Sequence, residues 1–415
     1  MNNGKIFIVD DDDSSLELAE HILSLEGWTV KTTNTVESVF LKIKDFDPDY
    51  LITDIMMPIM DGIQLCSKIT NNPDFAKITI IVCSSKSYDF DKENAFKQGA
   101  SGYILKPFTK EKFEDVVNSL NKTKLTFWGI HGTLPVPGSK TSIYGGNTSC
   151  VSLEFSPRNL FILDAGSGIS ELSNHLLKDK HKRINASLCI THTHWDHINA
   201  FPFFGPLYLS GNEITVYGPT SGEGRSIEQS ITDQMSREYF PITSKEFAAH
   251  VKYENLHEGQ YEISGVQVQA KLLIHPGNCL GYKFIYNKKI ICYLTDNELY
   301  KKDFVSYSPN YWNSLLKFLD SCDLLIHDTT YFDYEYERKI NWGHSSVNQV
   351  VQLAHEANVK YLFLFHHDIA HDDGHLMQKL KIAQQSLLKL NSRTKCFLPK
   401  ERSELIIERL DKHNF

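Results

Sequence analysis

The chain has 415 residues, too long for one ordinary hydrophobic core and right for two, and carries 43 Lys+Arg against 51 Asp+Glu, a formal net charge of −8. Residues 1–121 hold 12 Lys and no Arg against 20 acids, while the remaining 294 hold 31 of each sign, so neither part has the basic surplus usual for a nucleic-acid enzyme. No apolar run approaches the length of a membrane span, the N-terminus enters a strand with no signal peptide, and the eight cysteines form no Cys-x-x-Cys pair; a soluble cytoplasmic protein with reduced core cysteines is expected.

In chain order, Lys5-Ile6-Phe7-Ile8-Val9 is a short apolar strand that runs into Asp10-Asp11-Asp12-Asp13. A second run, Tyr50-Leu51-Ile52-Thr53, ends at Asp54; a third, residues 78–83, ends at Ser84; a fourth, Tyr103-Ile104-Leu105, ends at Lys106-Pro107. Helical stretches alternate with these strands, the pattern of a doubly wound parallel sheet whose ligands sit at the carboxyl edge. Carboxylates at neighbouring strand ends build a hard oxygen site suited to Mg²⁺. Asp12 and Asp13 read as a solvated turn and N-cap for a helix from Ser14.

Residues 1–121 resemble a response-regulator receiver domain of flavodoxin-like fold over its full length. The resemblance implies that Asp54, within Asp54-Ile55-Met56-Met57-Pro58-Ile59-Met60-Asp61-Gly62, is the phosphoacceptor, that Asp10 and Asp11 hold Mg²⁺, and that Ser84 and Lys106 contact the phosphoryl group. It also implies that Tyr103 is an aromatic that changes rotamer on activation, and that the partner is a sensor histidine kinase or phosphotransfer protein.

A short polar stretch, Asn121-Lys122-Thr123-Lys124, leads to the strand Leu125-Thr126-Phe127-Trp128 and to a second domain over 125–415. So brief a linker keeps the two domains within contact range. The apolar run Ser187-Leu188-Cys189-Ile190 ends at Thr191-His192-Thr193-His194-Trp195-Asp196-His197, three imidazoles and a carboxylate in six positions. Buried without a metal, such a cluster would cost free energy. His192 and His194 alternate after the strand and can share one metal, while Asp196 and His197 can reach a second, and a dinuclear pair suits in-line attack on phosphate esters. Three more ligand-type residues end apolar runs: His275 after Leu272-Leu273-Ile274, Asp296 after 291–295, and His366 after 361–365.

These motifs resemble the metallo-β-lactamase superfamily, an αββα sandwich, over about residues 125–410. The resemblance implies that one metal is held by His192, His194, His275 and Asp296, the other by Asp196, His197, Asp296 and His366, with Asp296 bridging. The segment from Phe127 to Gly138, Tyr144 to Cys150, and Phe161-Ile162-Leu163-Asp164-Ala165-Gly166-Ser167-Gly168 resemble the ribonuclease Z and phosphoribosyl cyclic phosphodiesterase branch. In that branch His344, in Trp342-Gly343-His344-Ser345-Ser346, contacts the scissile phosphate and offsets transition-state charge. Read without the family, His344 is equally a residue at a helix N-terminus beside a Ser345 cap. Asp328 is expected to orient His344, and His367 to face substrate.

The expected activity is a dinuclear-metal phosphodiesterase controlled through Asp54, with two Zn²⁺ (or Mn²⁺), Asp196 orienting the attacking water or taking its proton, and His344 stabilising the developing charge. Residues 220–239 form only a modest polar insertion, not a long basic arm for gripping transfer RNA, so a small cyclic phosphodiester, a cyclic nucleotide or sugar cyclic phosphate, is favoured over RNA. A metal-dependent endoribonuclease and a phosphorylation-gated interaction module with weak turnover remain the alternatives. A homodimer is compatible with this organisation.

Overall fold

The computed structural model describes residues 4–75, 78–120, 122–156, 159–178 and 183–412. Asn121, in the expected linker, lies outside them. The chain divides into two compact units, one built principally from residues up to 122 and the other from residue 123 onward.

The first unit alternates strands and helices: β1 (Lys5–Val9), α1 (Asp13–Leu25), β2 (Thr29–Thr33), α2 (Val39–Phe46), β3 (Tyr50–Thr53), α3 (Gly62–Thr70), β4 (Thr79–Ser84), α4 (Asp89–Lys97), β5 (Gly102–Leu105) and α5 (Lys110–Leu120). The sheet is parallel, in the order β2-β1-β3-β4-β5. Its inner strands are apolar on both faces because helices cover both, while the edge strand β2 is polar and partly exposed. Ile6, Ile8, Ile52, Ile81 and Ile104 pack with Leu16, Leu23, Phe113 and Val117, while Phe7, Val9, Leu51, Ile80 and Val82 pack on the other face with Val39, Ile43, Leu65 and Ile69. The acidic run divides as its chemistry requires: Asp12 is the N-cap of α1, accepting from Ser14 N and Ser15 Oγ, which leaves Asp10 and Asp11 at the end of β1. Gly62 opens α3 beside the end of β3, where a Cβ would lie 1.9 Å from the Asp54 carbonyl oxygen.

In the second unit come β6 (Lys124–Gly129), β7 (Cys150–Ser156), β8 (Asn159–Leu163), α6 (Ile169–Leu176), β9 (Asn185–Cys189), α7 (Trp195–Ile198), β10 (Glu213–Pro219), α8 (Ile227–Asp233) and β11 (His250–Leu256). They are followed by β12 (Gly259–Ile263), β13 (Val266–Leu273), β14 (Cys279–Tyr286), β15 (Lys289–Leu294), α9 (Pro309–Phe318), β16 (Leu324–Asp328), α10 (Asp333–Tyr336), α11 (Val347–Glu356), β17 (Tyr361–Phe365), α12 (Asp373–Lys389), β18 (Lys395–Phe397) and β19 (Glu404–Ile406). Two seven-stranded sheets result, β11-β10-β9-β8-β7-β6-β19 and β12-β13-β14-β15-β16-β17-β18. Their inner faces meet through aromatic contacts, Phe127 with Phe363 at 5.5 Å and Phe161 with Phe284 at 5.3 Å between ring centroids, and through Tyr282 Oη donating to Ile190 O at 2.6 Å. The outer face of the first sheet buries Leu172 and Leu176 of α6 and Ile227 and Ile231 of α8 against Ile162, Leu188 and Val216. This is the expected sandwich with helices outside it. The polar insertion of residues 220–239 contains the short α8, capped by a Ser226–Gln229 box.

The chain returns from the second sheet to the first through Glu401, which lies between β18 and β19 and closes the turn before β7. Its carboxyl accepts from Asn147 N at 2.7 Å and Asn147 Nδ2 at 2.9 Å, and burial pushes its pKa from 4.5 to about 7. A carboxyl whose folded pKa is raised leaves stability untouched below the unfolded pKa and lowers it as pH rises towards the folded value. The unfolding free energies of the wild type and a Glu401→Gln variant should therefore diverge between about pH 4.5 and pH 7, in favour of the variant, by about 2 kcal/mol after allowance for partial solvent access. Chemical denaturation at pH 4.5 and pH 8 measures it, and a pH-independent difference would refute this account of Glu401.

Candidate active site

In the second unit the sheet edges deliver the side chains. Asp164 follows β8, residues 192–197 follow β9, Asp296 follows β15, Asp328 ends β16 and His366 follows β17. Three of these, Asp164, Asp296 and His366, have positive φ (61°, 51° and 56°), although none is glycine. Left-handed backbone is costly for L side chains and persists only where its surroundings hold it, and here it turns each side chain off its strand end into one place.

Two ligand sets form around Asp296. In one, His192, His194, His275 and Asp296 bring their ligand atoms within 4.8 Å of one another; in the other, Asp196, His197, Asp296 and His366 do the same. The two oxygens of Asp296 divide between them. Oδ2 lies 3.5 Å from His192 Nε2 and 3.6 Å from His275 Nε2, whereas Oδ1 lies 3.3 Å from His197 Nε2 and 3.1 Å from His366 Nε2. Asp196 Oδ2 is 3.3 Å and 3.1 Å from the same two nitrogens of the second set, and accepts from Thr133 N at 2.7 Å.

The outer nitrogens are occupied, and the inner ones point at each other. His192 Nδ1 meets Thr191 Oγ1 at 3.1 Å, His197 Nδ1 donates to Asp164 Oδ2 at 2.9 Å, His275 Nδ1 donates to Gly343 O at 2.9 Å, and His366 Nδ1 meets Thr330 Oγ1 at 3.2 Å. Fixing the outer nitrogen fixes the ring and leaves the inner lone pair for a cation. His275 Nε2 and His194 Nδ1 are 3.0 Å apart, His197 Nε2 and His366 Nε2 3.3 Å apart, and buried His192 Nε2 has no hydrogen-bond partner. Buried imidazole nitrogens converging in this way, with a carboxylate at each set, fit a pair of divalent cations.

The charges express the same conflict. Burial pushes the His192 pKa well below 6.5, while the carboxylates around His197 overcome its burial and hold it well above. Burial alone would raise Asp196 and Asp296, but the surrounding histidines hold both well below the usual carboxylate range.

Beside these sets stands His344, 5.0 Å from the His366 ring and 5.1 Å from the His275 ring. Its Nδ1 donates to Asp328 Oδ2 at 2.8 Å; burial opposes the imidazolium, yet Asp328 raises its pKa to about 9. Asp328 also accepts from Thr330 N, Thr330 Oγ1 and Asn297 N, so its oxygens are committed to protein donors even though it lies within 4.8 Å of Asp296, His344 and His366. The helix behind His344, α11, is capped by Ser346 with Gln349. Ser345 is not the cap; its Oγ instead donates to Asn297 O and accepts from Leu299 N.

His367 does not face an opening. It is fully buried against His131, with ring centroids 5.8 Å apart, and its Nδ1 lies 3.5 Å from Lys379 Nζ. The acidic and histidine-rich loop after it is structural: Asp372 caps α12, and Asp373 accepts from Ile143 N and Tyr144 N. Tyr331, Phe332 and Tyr336 are core residues.

The sequence reading missed two residues that shape the site. Asp164 collects Thr191 N, Thr191 Oγ1, His197 Nδ1 and Tyr293 Oη, and its available signal was an acid at the end of an apolar strand. Lys379 of α12, buried with its pKa lowered by burial to about 7, donates to Thr329 O and Thr330 O behind His366; nothing in its helical context marks it.

In the first unit three of the expected residues, Asp10, Asp54 and Lys106, also meet. Lys106 Nζ lies 2.7 Å from Asp10 Oδ2 and 3.1 Å from Asp54 Oδ1, and these carboxylates raise its pKa against the opposing effect of burial. Asp54 Oδ2 accepts from Met56 N at 2.6 Å. Asp11 is exposed, Ser84 is buried, and Tyr103 Oη donates to Lys86 O at 2.8 Å. A cavity of about 400 Å³ opens at Asp10, Asp54 and Lys106.

A β-lactamase superfamily domain profile matches residues 159–367. The chain belongs to that superfamily. A response regulator receiver domain profile matches residues 6–118. The chain is 37% identical over 108 residues to Protein PilG of Pseudomonas aeruginosa, spanning 26% of this chain and 80% of that protein. It is 36% identical over 117 residues to Chemotaxis protein CheY of Halobacterium salinarum, spanning 28% of this chain and 95% of that one. The metallo-β-lactamase fold protein YhfI from Bacillus subtilis superposes with a TM-score of 0.51 at 17% identity, covering 69% of this chain and 99% of that chain, a likeness of fold. The chain is thus a response-regulator receiver joined to a metallo-β-lactamase-fold domain, a fold that implies divalent metal binding, and its receiver implies a phosphodonor such as a histidine kinase. No described helix is long and apolar enough to cross a membrane.

If Asp296 serves both ligand sets, Asp296→Ala should release both cations, whereas His366→Ala should weaken chiefly one. Elemental analysis after gel filtration measures this. Two retained cations in the Asp296 variant would contradict the division described here.

Proposed function

We propose that the second domain is a dinuclear-metal phosphodiesterase acting on a small cyclic phosphodiester, a cyclic nucleotide or sugar cyclic phosphate, and that phosphorylation of Asp54 controls its rate. The observation that carries this reading is the Asp328–His344 pair beside the two ligand sets. A phosphoryl transition state gathers more negative charge than an acyl one, and a histidine whose Nδ1 is held by a buried carboxylate presents its other nitrogen as a donor for that charge. The neutral charge balance beyond residue 121, with only a short polar insertion between β10 and β11, favours a small substrate over RNA.

His192, His194, His275 and Asp296 would hold one cation and Asp196, His197, Asp296 and His366 the other, with Zn²⁺ (or Mn²⁺) suited to the nitrogen-rich donors. Such a pair, when bound, supplies neutralisation of phosphate oxygens and a water of lowered pKa. The protein's own groups complete the reaction. Asp196, fixed by the Thr133 amide, orients the attacking water and takes its proton. His344 donates to the phosphoryl or departing oxygen, and Asp328 keeps its tautomer and direction. In the receiver, Asp10 and Asp11 would hold Mg²⁺, while Ser84 and Lys106 would receive the phosphoryl oxygens.

A screen of the zinc-loaded protein against cyclic mononucleotides, sugar cyclic phosphates, bis(p-nitrophenyl) phosphate and RNA tests the activity. Turnover of a small diester should fall roughly 100-fold in kcat in His344→Ala with little change in KM. A change in KM alone would contradict the role of His344, and turnover of RNA alone would contradict the substrate class.

The receiver's phosphorylation adds charge and strong acceptors at Asp54, and only residues 121–123 separate α5 from β6. Beryllofluoride with Mg²⁺ should change the hydrolysis rate roughly tenfold in the wild type and leave Asp54→Asn unchanged. Equal rates in all samples would remove the regulatory half of the proposal.

A further inference from the structure

The segment that delivers His344 is irregular backbone, with Asn341 at φ 70° and Gly343 at φ 83°. Asn and glycine both adopt left-handed backbone readily, and backbone N–H groups in such turns converge into a concavity suited to an anion. The anion is a side chain of this protein. Glu298 Oε1 accepts from Asn341 N at 2.8 Å and from Tyr336 Oη at 2.9 Å, and Oε2 accepts from Gly343 N at 2.8 Å. Glu298 is only 1% exposed, and no lysine or arginine pairs with it among the described residues.

Its place in the chain links the site's separate parts. Glu298 follows the shared ligand Asp296 by two residues, and its own N–H donates to Ile274 O at 2.8 Å, immediately before His275. Gly343, pinned by Glu298 through its nitrogen, accepts from His275 Nδ1 through its oxygen. Contact there is so close that a Cβ on Gly343 would lie 2.3 Å from that ring nitrogen. His344 is the next residue. A buried carboxylate without a cation is expensive unless its oxygens are satisfied, and here two of the three donors that satisfy it are the amides flanking Trp342.

We infer that Glu298 is a positioning residue for the proposed phosphodiester chemistry: it hangs residues 341–343 from the Asp296 strand end so that His344 stands beside His275 and His366. The inference rests on the role proposed for His344. A glutamine at position 298 keeps the volume but turns an amide NH₂ towards one of the converging donors, which loosens the segment without removing any ligand.

The experiment has two arms. Hydrogen exchange of the 338–346 segment in the wild type and in Glu298→Gln is read without substrate, and exchange should accelerate about tenfold or more in the variant. Turnover of bis(p-nitrophenyl) phosphate by the zinc-loaded proteins should show kcat lowered roughly 10- to 100-fold with KM within about twofold. In a His344→Ala background the same substitution should change kcat by less than about threefold, because its effect passes through His344. Tyr336→Phe, which removes one donor and keeps the carboxylate, should show the same pattern at smaller size and carries both arms if the Gln variant does not fold. Unchanged exchange, or equal losses with and without His344, would overturn the inference. A wild type that hydrolyses no phosphodiester would instead overturn the proposed function, and the exchange arm would still decide whether Glu298 holds the segment.

Discussion

The second domain is organised around one buried carboxylate that faces two groups of imidazoles. Asp296 turns Oδ2 to His192 and His275 and Oδ1 to His197 and His366, partners supplied by three segments, those after β9, β13 and β17. Imidazole nitrogens and carboxylate oxygens are crowded here in a medium that solvates them poorly. The fold accepts the conflict because every outer group is tied elsewhere: Asp164 holds His197, Gly343 holds His275, and Thr330 holds His366. Left-handed backbone at Asp164, Asp296 and His366 is the local strain of that convergence.

The receiver meets a related constraint with different chemistry. Asp10 and Asp54 share Lys106 rather than imidazoles, an oxygen-rich cluster that is the basis for proposing a hard cation and a phosphoryl group there. Under the proposed assignment the nitrogen-rich donors suit Zn²⁺ and the oxygen-rich ones Mg²⁺, so the two sites would not compete for one ion. The single covalent connection between α5 and β6 is short enough that a receiver rearrangement has little slack to dissipate in, which is the physical basis for proposing control.

Much of this was legible in the sequence because the clustered side chains sit at strand ends. Apolar runs that stop at Asp54, Ser84, His275, Asp296 or His366 mark the edge of a sheet, and the cluster at 192–197 is almost local. What escaped is what depends on tertiary contact. Asp164 looked like a turn residue of its motif, and Glu298 and Lys379 act through backbone groups 40 to 50 positions away, a relation no periodicity records. His367 was expected to face substrate as the neighbour of a ligand, but the left-handed turn at His366 sends the two rings apart and packs His367 on His131. The cap of α11 fell one residue later than expected because Ser345 is drawn to Asn297 and Leu299.

The claim on which the whole account depends is that Asp296 is shared by two cations. Calorimetric titration of Zn²⁺ into chelator-treated wild-type protein, with Mg²⁺ present to satisfy the receiver, tests it directly. Two equivalents should bind per chain, since both ligand sets are complete within the second domain. Saturation at one equivalent, or no binding, would contradict a dinuclear centre and the chemistry built on it.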